Sequence, residues 1–399
     1  MSAVKRVYLH IGLHKTGTTY VQHLMRANRT AMRDQGVLYP GGPGFPPQIM
    51  AIWDLLGRRP QRGEDGRIAG SWQALVTAVN AAPEPTVLIS EEHLSVARPR
   101  QIRAAIGAFP RHEAHVVVTV RDLARVLASA WQEDVKAGNS LSWREFVAAV
   151  RDPEQVGSNP SRGFWFRQGL PDVLARWSKV VPIDRVHVVT LPPAGESPEV
   201  LVQRLGSLVG FDPARLGEPA AWSNPNVGLV GTELIRLLNP ALAGLNQRQR
   251  DRLLKFTLAR LLADGIPKVP LEVTGDDLAW ARERGAEMAA AVRAAGHPVV
   301  GDLAELEPRP VPGRSPEDLA DRELLDAAVV GLGGLSTAYV GAWWTNRRPD
   351  EKVEGHERAK LGSAARAAAS RARHRVGRIA DRNPVASRAL GAVLRWRRR

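Results

Sequence analysis

Three features of this 399-residue chain predict an α/β protein built on a parallel sheet. Short, continuous runs of Val, Ile and Leu fall at Val4–Ile11, Thr86–Ser90, Ala114–Val120 and Arg185–Leu191. Runs of this kind are typical of strands covered on both faces. Helical patterns separate them, as expected where parallel strands are joined by crossovers. The first run also leads into a glycine-containing loop that opens a helix.

Taken in order, Val4–Ile11 reads as a strand and Gly12–Thr19 as a loop. From Thr19 to Asp34, apolar residues recur at Val21, Leu24, Met25, Ala31 and Met32, with Asn28 the exception. That period predicts one helix, ended by Gly36. Beyond Asn224 the pattern is helical, at Glu233–Leu238, Asn246–Ala263 and Asp276–Ala295. Val311–Pro316 is a proline-rich break. The segment Leu324–Trp344 approaches the length of a membrane span. Asp326, Ser336, Thr337 and its close-set glycines favour a helix packed in the core instead. No internal repeat is present.

Hydrophobic residues make up 44% and charged residues 24%, the composition of a soluble globular protein. With no cysteine, disulfides, thiolate metal sites and a Cys nucleophile are excluded, and a reducing cytoplasm fits. The Val7–Ile11 run is too short for a signal peptide, so a cytoplasmic location is expected. The net charge of +14 sits largely at one end: residues 352–399 hold 14 Lys+Arg and 3 Asp+Glu. The body is nearly neutral, so its basicity gives no reason to expect a nucleic-acid partner. The expected organisation is a domain over residues 1–350 with a basic Arg/Ala-rich tail over 351–399. Within the domain, a nucleotide-binding core covers about 4–215 and a helical region about 224–345. In the tail, Val376, Ile379, Leu390, Val393, Leu394 and Trp396 are spaced to share one side of helices broken at Pro384. Such a segment can lie peripherally on an anionic membrane or stay solvated.

Most of the chemistry is carried by Leu9-His10-Ile11-Gly12-Leu13-His14-Lys15-Thr16-Gly17-Thr18-Thr19. Glycines let backbone N–H groups turn toward an anion, and the helix N-terminus adds positive potential. Lys15 supplies a full charge; Thr18 and Thr19 supply hydroxyls. The loop departs from Gly-x-x-x-x-Gly-Lys-Ser/Thr. Gly12 and Gly17 keep that spacing, but Lys15 precedes Gly17 and Thr18 takes the lysine's place. A second group follows the third run: Arg121-Asp122 at the strand end, then Ser129 about two turns into a helix. At the end of the second run stand Glu91, Glu92 and His93, able to cap a helix and also to act as a base.

The loop His10–Thr19 closely resembles the 5′-phosphosulfate loop of sulfotransferases that use 3′-phosphoadenosine 5′-phosphosulfate (PAPS), particularly the bacterial branch similar to the carbohydrate enzymes. The strand–Arg121-Asp122–Ser129 group resembles that family's 3′-phosphate motif, with Leu123 where a proline is usual. Leu88–Glu92 resembles its strand–Ser-Ser-Glu segment, with Glu91 replacing the second serine. The resemblance covers about residues 4–345, loosely outside these motifs. It implies a three-layer P-loop NTPase-like fold with a helical acceptor-binding region, and PAPS as co-substrate without a required metal.

It further implies that Lys15 contacts the sulfuryl and bridging oxygens. Gly12, Thr16 (through its backbone), Gly17, Thr18 and Thr19 would surround the 5′-phosphate, and Arg121 and Ser129 would hold the 3′-phosphate. Glu92 matches the family's base; His93, Glu91 and His14 are alternatives. The acceptor would be a hydroxyl of a sugar, a glycolipid or a small alcohol. Trp131, Trp143, Trp165, Trp222 and Trp280 are core residues or platforms for a sugar ring. Two rival functions stand beside this one: a small-molecule kinase using ATP and Mg²⁺, and a nucleotide-binding protein without transferase activity.

Overall fold

In the computed structural model, residues 4–58, 65–152, 160–218 and 226–347 are described. The strands are β1 (Lys5–His10), β2 (Val37–Leu38), β3 (Thr86–Ser90), β4 (His112–Val120), β5 (Val186–Thr190) and β6 (Val299–Val300). They form one six-stranded sheet in the order β2-β3-β1-β4-β5-β6, and every pairing is parallel. The four expected strands are all present and central. The edge strands β2 and β6, two residues each, are additions that periodicity cannot show.

Successive side chains of a strand point to opposite faces, and β1 shows what each face meets. Val7 and Leu9 pack with Ile52, Leu75, Ile102 and Leu174 in one buried cluster. Tyr8 packs with Val21, Met25 and Leu205 in another. Helices therefore cover both faces, giving the three-layer α/β architecture. β1 lies between β3 and β4. The carboxyl ends of these three strands are where an open parallel sheet presents its ligand crevice.

Two local expectations are corrected. The single helix over Thr19–Asp34 is two, Thr18–Ala27 and Arg29–Arg33, divided at Asn28. The Asn28 side chain donates to the Gly217 carbonyl at 2.8 Å and accepts from the Gly217 N–H at 2.8 Å. That pair of bonds fixes a distant loop and explains the polar residue in an apolar period. The second correction concerns Leu324–Trp344. It lies in a helix, Asp321–Arg347, but not in the core: Leu325, Val329, Leu332, Tyr339 and Val340 are exposed.

The chain divides into two compact units, Met1–Gly331 and Leu332–Arg399, so the division falls inside that helix. The sheet and every candidate site residue belong to the first unit. Trp222 and the tail from residue 351 lie outside the described residues.

Candidate functional site

The loop after β1 is built on three left-handed residues: Gly12 at φ 56°, Lys15 at φ 67° and Gly17 at φ 75°. Among the described residues, Lys15 is the single non-glycine with positive φ. Such a backbone costs roughly 1–2 kcal/mol for a residue with a Cβ, and it persists where the surroundings impose it. Turns of this kind aim successive N–H groups into one concavity, an anion nest. Gly12 has no room for a side chain, since a Cβ would lie 2.6 Å from Thr18 Cγ2.

Buried hydrogen bonds hold the loop from beneath. The Ile11 and Leu13 N–H groups donate to the Val117 and Thr119 carbonyls at 2.9 and 2.8 Å, extending the β1–β4 ladder. His10 joins Ser90 Oγ through Nδ1 at 2.8 Å and Thr119 Oγ1 through Nε2 at 3.1 Å. Thr119 Oγ1 lies 2.7 Å from Thr16 Oγ1, which donates to the Leu13 carbonyl at 2.5 Å. The Thr16 hydroxyl is thus committed to the scaffold, leaving only its backbone for a ligand. Buried from solvent, His10 favours its neutral form, and burial lowers its pKa to about 4.

A cavity of about 820 Å³ opens over this loop. Its lining includes His14, Lys15, Gly17, Thr18, Thr19, Glu92, His93, Arg121 and Ser129. Nearly all the sequence-derived candidates therefore meet in one place. The exceptions are Gly12 and Thr16, which shape the loop from behind, and Glu91. The Thr18–Ala27 helix starts at the cavity, and no side chain caps its first N–H groups from Gly17. Those donors and the helix dipole suit an anion.

Lys15 Nζ lies 3.0 Å from Glu133 Oε2. Lys136 Nζ reaches the same oxygen at 3.1 Å, and Lys255 Nζ reaches Oε1 at 3.4 Å. Burial alone would raise the Glu133 pKa, but these three ammonium groups outweigh it and hold the carboxyl well below the usual range. Burial also lowers the Lys15 pKa, below the usual ammonium value, with Glu133 opposing the shift.

Sequence reasoning missed this cluster. Glu133 could have been noticed one turn beyond Ser129 on the same helix, Leu123–Lys136. Lys255 could not, because it comes from a wide-turn π-helical stretch, Asp251–Leu258, remote from the loop in sequence.

Arg121 follows β4 and is half-buried at the cavity. Its Nε is buried without a hydrogen-bond partner, and one terminal nitrogen makes only a long 3.5 Å contact with the Lys15 carbonyl. No carboxylate among the described residues pairs with it. Burial lowers its pKa to about 10, so it remains a cation at neutral pH. Asp122 instead caps the following helix, accepting from the Arg125 N–H at 3.0 Å, and also pairs with the Arg125 side chain. Leu123 is buried.

At the end of β3, Glu91 caps the short turn Glu92–Val96 and is buried. Its Oε1 lies 2.6 Å from His93 Nδ1. Burial raises the Glu91 pKa, against the pull of His93. Glu92 lines the cavity and accepts from Gln22 Nε2 at 2.9 Å. His14 stacks edge-on to His93, with ring centroids 5.7 Å apart. Burial, assisted by His93 and nearby cations, lowers its pKa to about 3. Arg167, Phe164 and Asn226 also line the cavity, with Gln168, whose side chain donates to the His14 carbonyl of the loop at 2.7 Å. Among the described residues, no tryptophan lines it. Trp131 and Trp143 are core residues in an aromatic chain that continues through Phe146 and Phe164 to Trp165 and Trp280. Among the described residues, no three His, Asp or Glu side chains cluster as metal ligands.

No family model matches the chain, and no curated protein matches it. Among solved structures, it is similar to a sulfotransferase from Alicyclobacillus acidocaldarius at 17% sequence identity and a TM-score of 0.35. That match covers 62% of this chain and 99% of the other. A likeness this distant assigns no function; the assignment must come from the site's own residues.

Proposed function

We propose that the protein is a sulfotransferase that carries a sulfuryl group from PAPS to a hydroxyl of a carbohydrate, glycolipid or small alcohol. The observation that carries the reading is that two positive groups line one crevice: Lys15 beside the uncapped helix N-terminus, and the half-buried Arg121, which has no carboxylate partner among the described residues. A leftover guanidinium of this kind is costly unless an anion meets it. One nucleotide with a 5′-phosphosulfate and a separate 3′-phosphate supplies both anions. Ser129, on the helix that follows Arg121, adds a hydroxyl donor.

In the transfer, the acceptor oxygen forms a bond to sulfur while the bond from sulfur to the bridging phosphate oxygen breaks. Adenosine 3′,5′-bisphosphate leaves, and the acceptor proton passes to a base. Lys15 neutralises charge growing on the leaving oxygen, as preorganised cations do in phosphoryl transfer. Glu92 takes the proton. It lines the cavity close behind the loop, since a Cβ on Gly12 would lie 3.5 Å from Glu92 Cβ. A second reading is favoured by the 2.6 Å Glu91–His93 contact: Glu91 holds His93 Nδ1, leaving Nε2 to accept the proton. A triphosphate with Mg²⁺ suits the site less well, because Lys15 sits at the neck of the loop rather than after Gly17.

Arg121→Ala tests the proposal. Loss of a charge-assisted contact should weaken adenosine 3′,5′-bisphosphate binding by about tenfold or more. AMP, which lacks the 3′ group, should bind nearly as before in calorimetric titration. Equal losses for both nucleotides would contradict the assignment.

A further inference from the structure

The helix Asp321–Arg347 takes no part in the donor site. Its most apolar 18-residue window has a mean hydropathy of 1.4, and only 11% of that window is buried. Leu332, Tyr339 and Val340 are each more than half exposed. From Ala327 to Thr345 no residue is charged, so the helix has no polar face to turn toward water. A helix lying flat on a membrane or a protein surface needs such a face; one surrounded by lipid does not.

The start of the run is packed against the protein, since Ala327 and Gly331 are buried and Gly331 lies against Leu258. At 1.5 Å per residue the remaining stretch, Leu332–Thr345, is about 21 Å long, enough to enter the roughly 30 Å hydrocarbon core of a bilayer without crossing it. The Thr337 hydroxyl donates back to the Gly333 carbonyl at 2.9 Å, satisfying a polar group within the helix itself. Trp343 and Trp344 stand at the end of the run, where indoles favour the headgroup boundary. Beyond them the sequence becomes strongly basic, complementary to anionic headgroups.

We propose that Leu332–Thr345 inserts into a lipid bilayer and anchors the protein there. This goes beyond electrostatic attachment through the tail. Tail contacts are screened by salt, whereas burial of an apolar helix is not. The proposal is independent of the reaction at the donor site.

The test uses full-length protein, purified in detergent and reconstituted with phosphatidylcholine vesicles, with and without phosphatidylglycerol. Flotation should recover it with both vesicle types, and most should stay bound in about 1 M salt, where the screening length is a few ångströms. The full-length variant Leu332→Arg/Val340→Arg changes two exposed positions, so its fold should survive, as circular dichroism would check. Its salt-resistant partitioning should fall by about a hundredfold or more, given the cost of arginine in hydrocarbon. Complete release of the parent protein by salt would overturn the proposal in favour of the tail alone. Failure to bind neutral vesicles, with a helix-dependent dimer in detergent-free buffer, would overturn it in favour of a second copy. Salt-resistant binding by the double-arginine variant would also overturn it.

Discussion

Lys15 combines a left-handed backbone with an ion pair to Glu133 at 3.0 Å. The backbone aims the residue into the crevice, and the ion pair holds its ammonium there. When a donor's anion draws Lys15 away, Lys136 and Lys255 remain on Glu133, so that carboxylate is not left unpaired. Lys15→Ala should therefore lower kcat by about 10²–10³, the usual cost of one preorganised electrostatic group, with a smaller loss of nucleotide affinity. Near-normal turnover in steady-state assays would remove Lys15 from the mechanism. The base is decided by a pair of variants. With Glu92 as base, Glu92→Gln should lose about 10²–10⁴ in kcat and His93→Asn far less. The reverse order, with Glu91→Gln behaving like His93→Asn, would establish the His93 reading.

The strand ends form the next scale. β1, β3 and β4 deliver the glycine loop, the Glu91–His93 segment and Arg121 side by side, and His10 ties the three strands together from below. Because burial lowers the His10 pKa to about 4 from its ordinary 6.5, the unfolded chain binds a proton between those values that the folded chain does not. Stability is then complete above about pH 6.5 and falls as pH drops toward 4, by roughly 3 kcal/mol for this residue. His14 and His187, whose pKa values burial lowers to about 3 and 4, add slope in the same direction. Urea denaturation at pH 7 and pH 4.5 should show the loss, and His10→Gln should make it shallower. Identical pH dependence in the variant would contradict the buried-neutral assignment. The four central strands were legible because strands buried on both faces give unbroken Val/Ile/Leu runs. β2 and β6 were not, since two residues carry no period. The break at Asn28 was visible as a polar exception, but its cause, Gly217, lies 189 residues away.

Across the whole molecule, legibility followed sequence distance. Candidates at strand ends could be read because loop and strand are contiguous there, and the structure brings them to one cavity. The partners that come from packing (Glu133 against Lys15, and Lys255 through its wide turn) required the fold. The C-terminal helix illustrates the same limit. Composition alone does not distinguish a core helix from one that meets lipid, because burial is a tertiary property. The central claim is that this crevice fits a nucleotide with separate 5′ and 3′ anions rather than a triphosphate. The most direct measurement is thermal unfolding with adenosine 3′,5′-bisphosphate or ATP·Mg²⁺, each at equal concentration. A ligand at about a hundred times its Kd stabilises the fold by roughly 2.7 kcal/mol, enough to raise Tm by a few degrees. The bisphosphate should raise Tm, and ATP·Mg²⁺ should leave it unchanged. Stabilisation by ATP·Mg²⁺ with none by the bisphosphate would contradict the account and indicate a kinase.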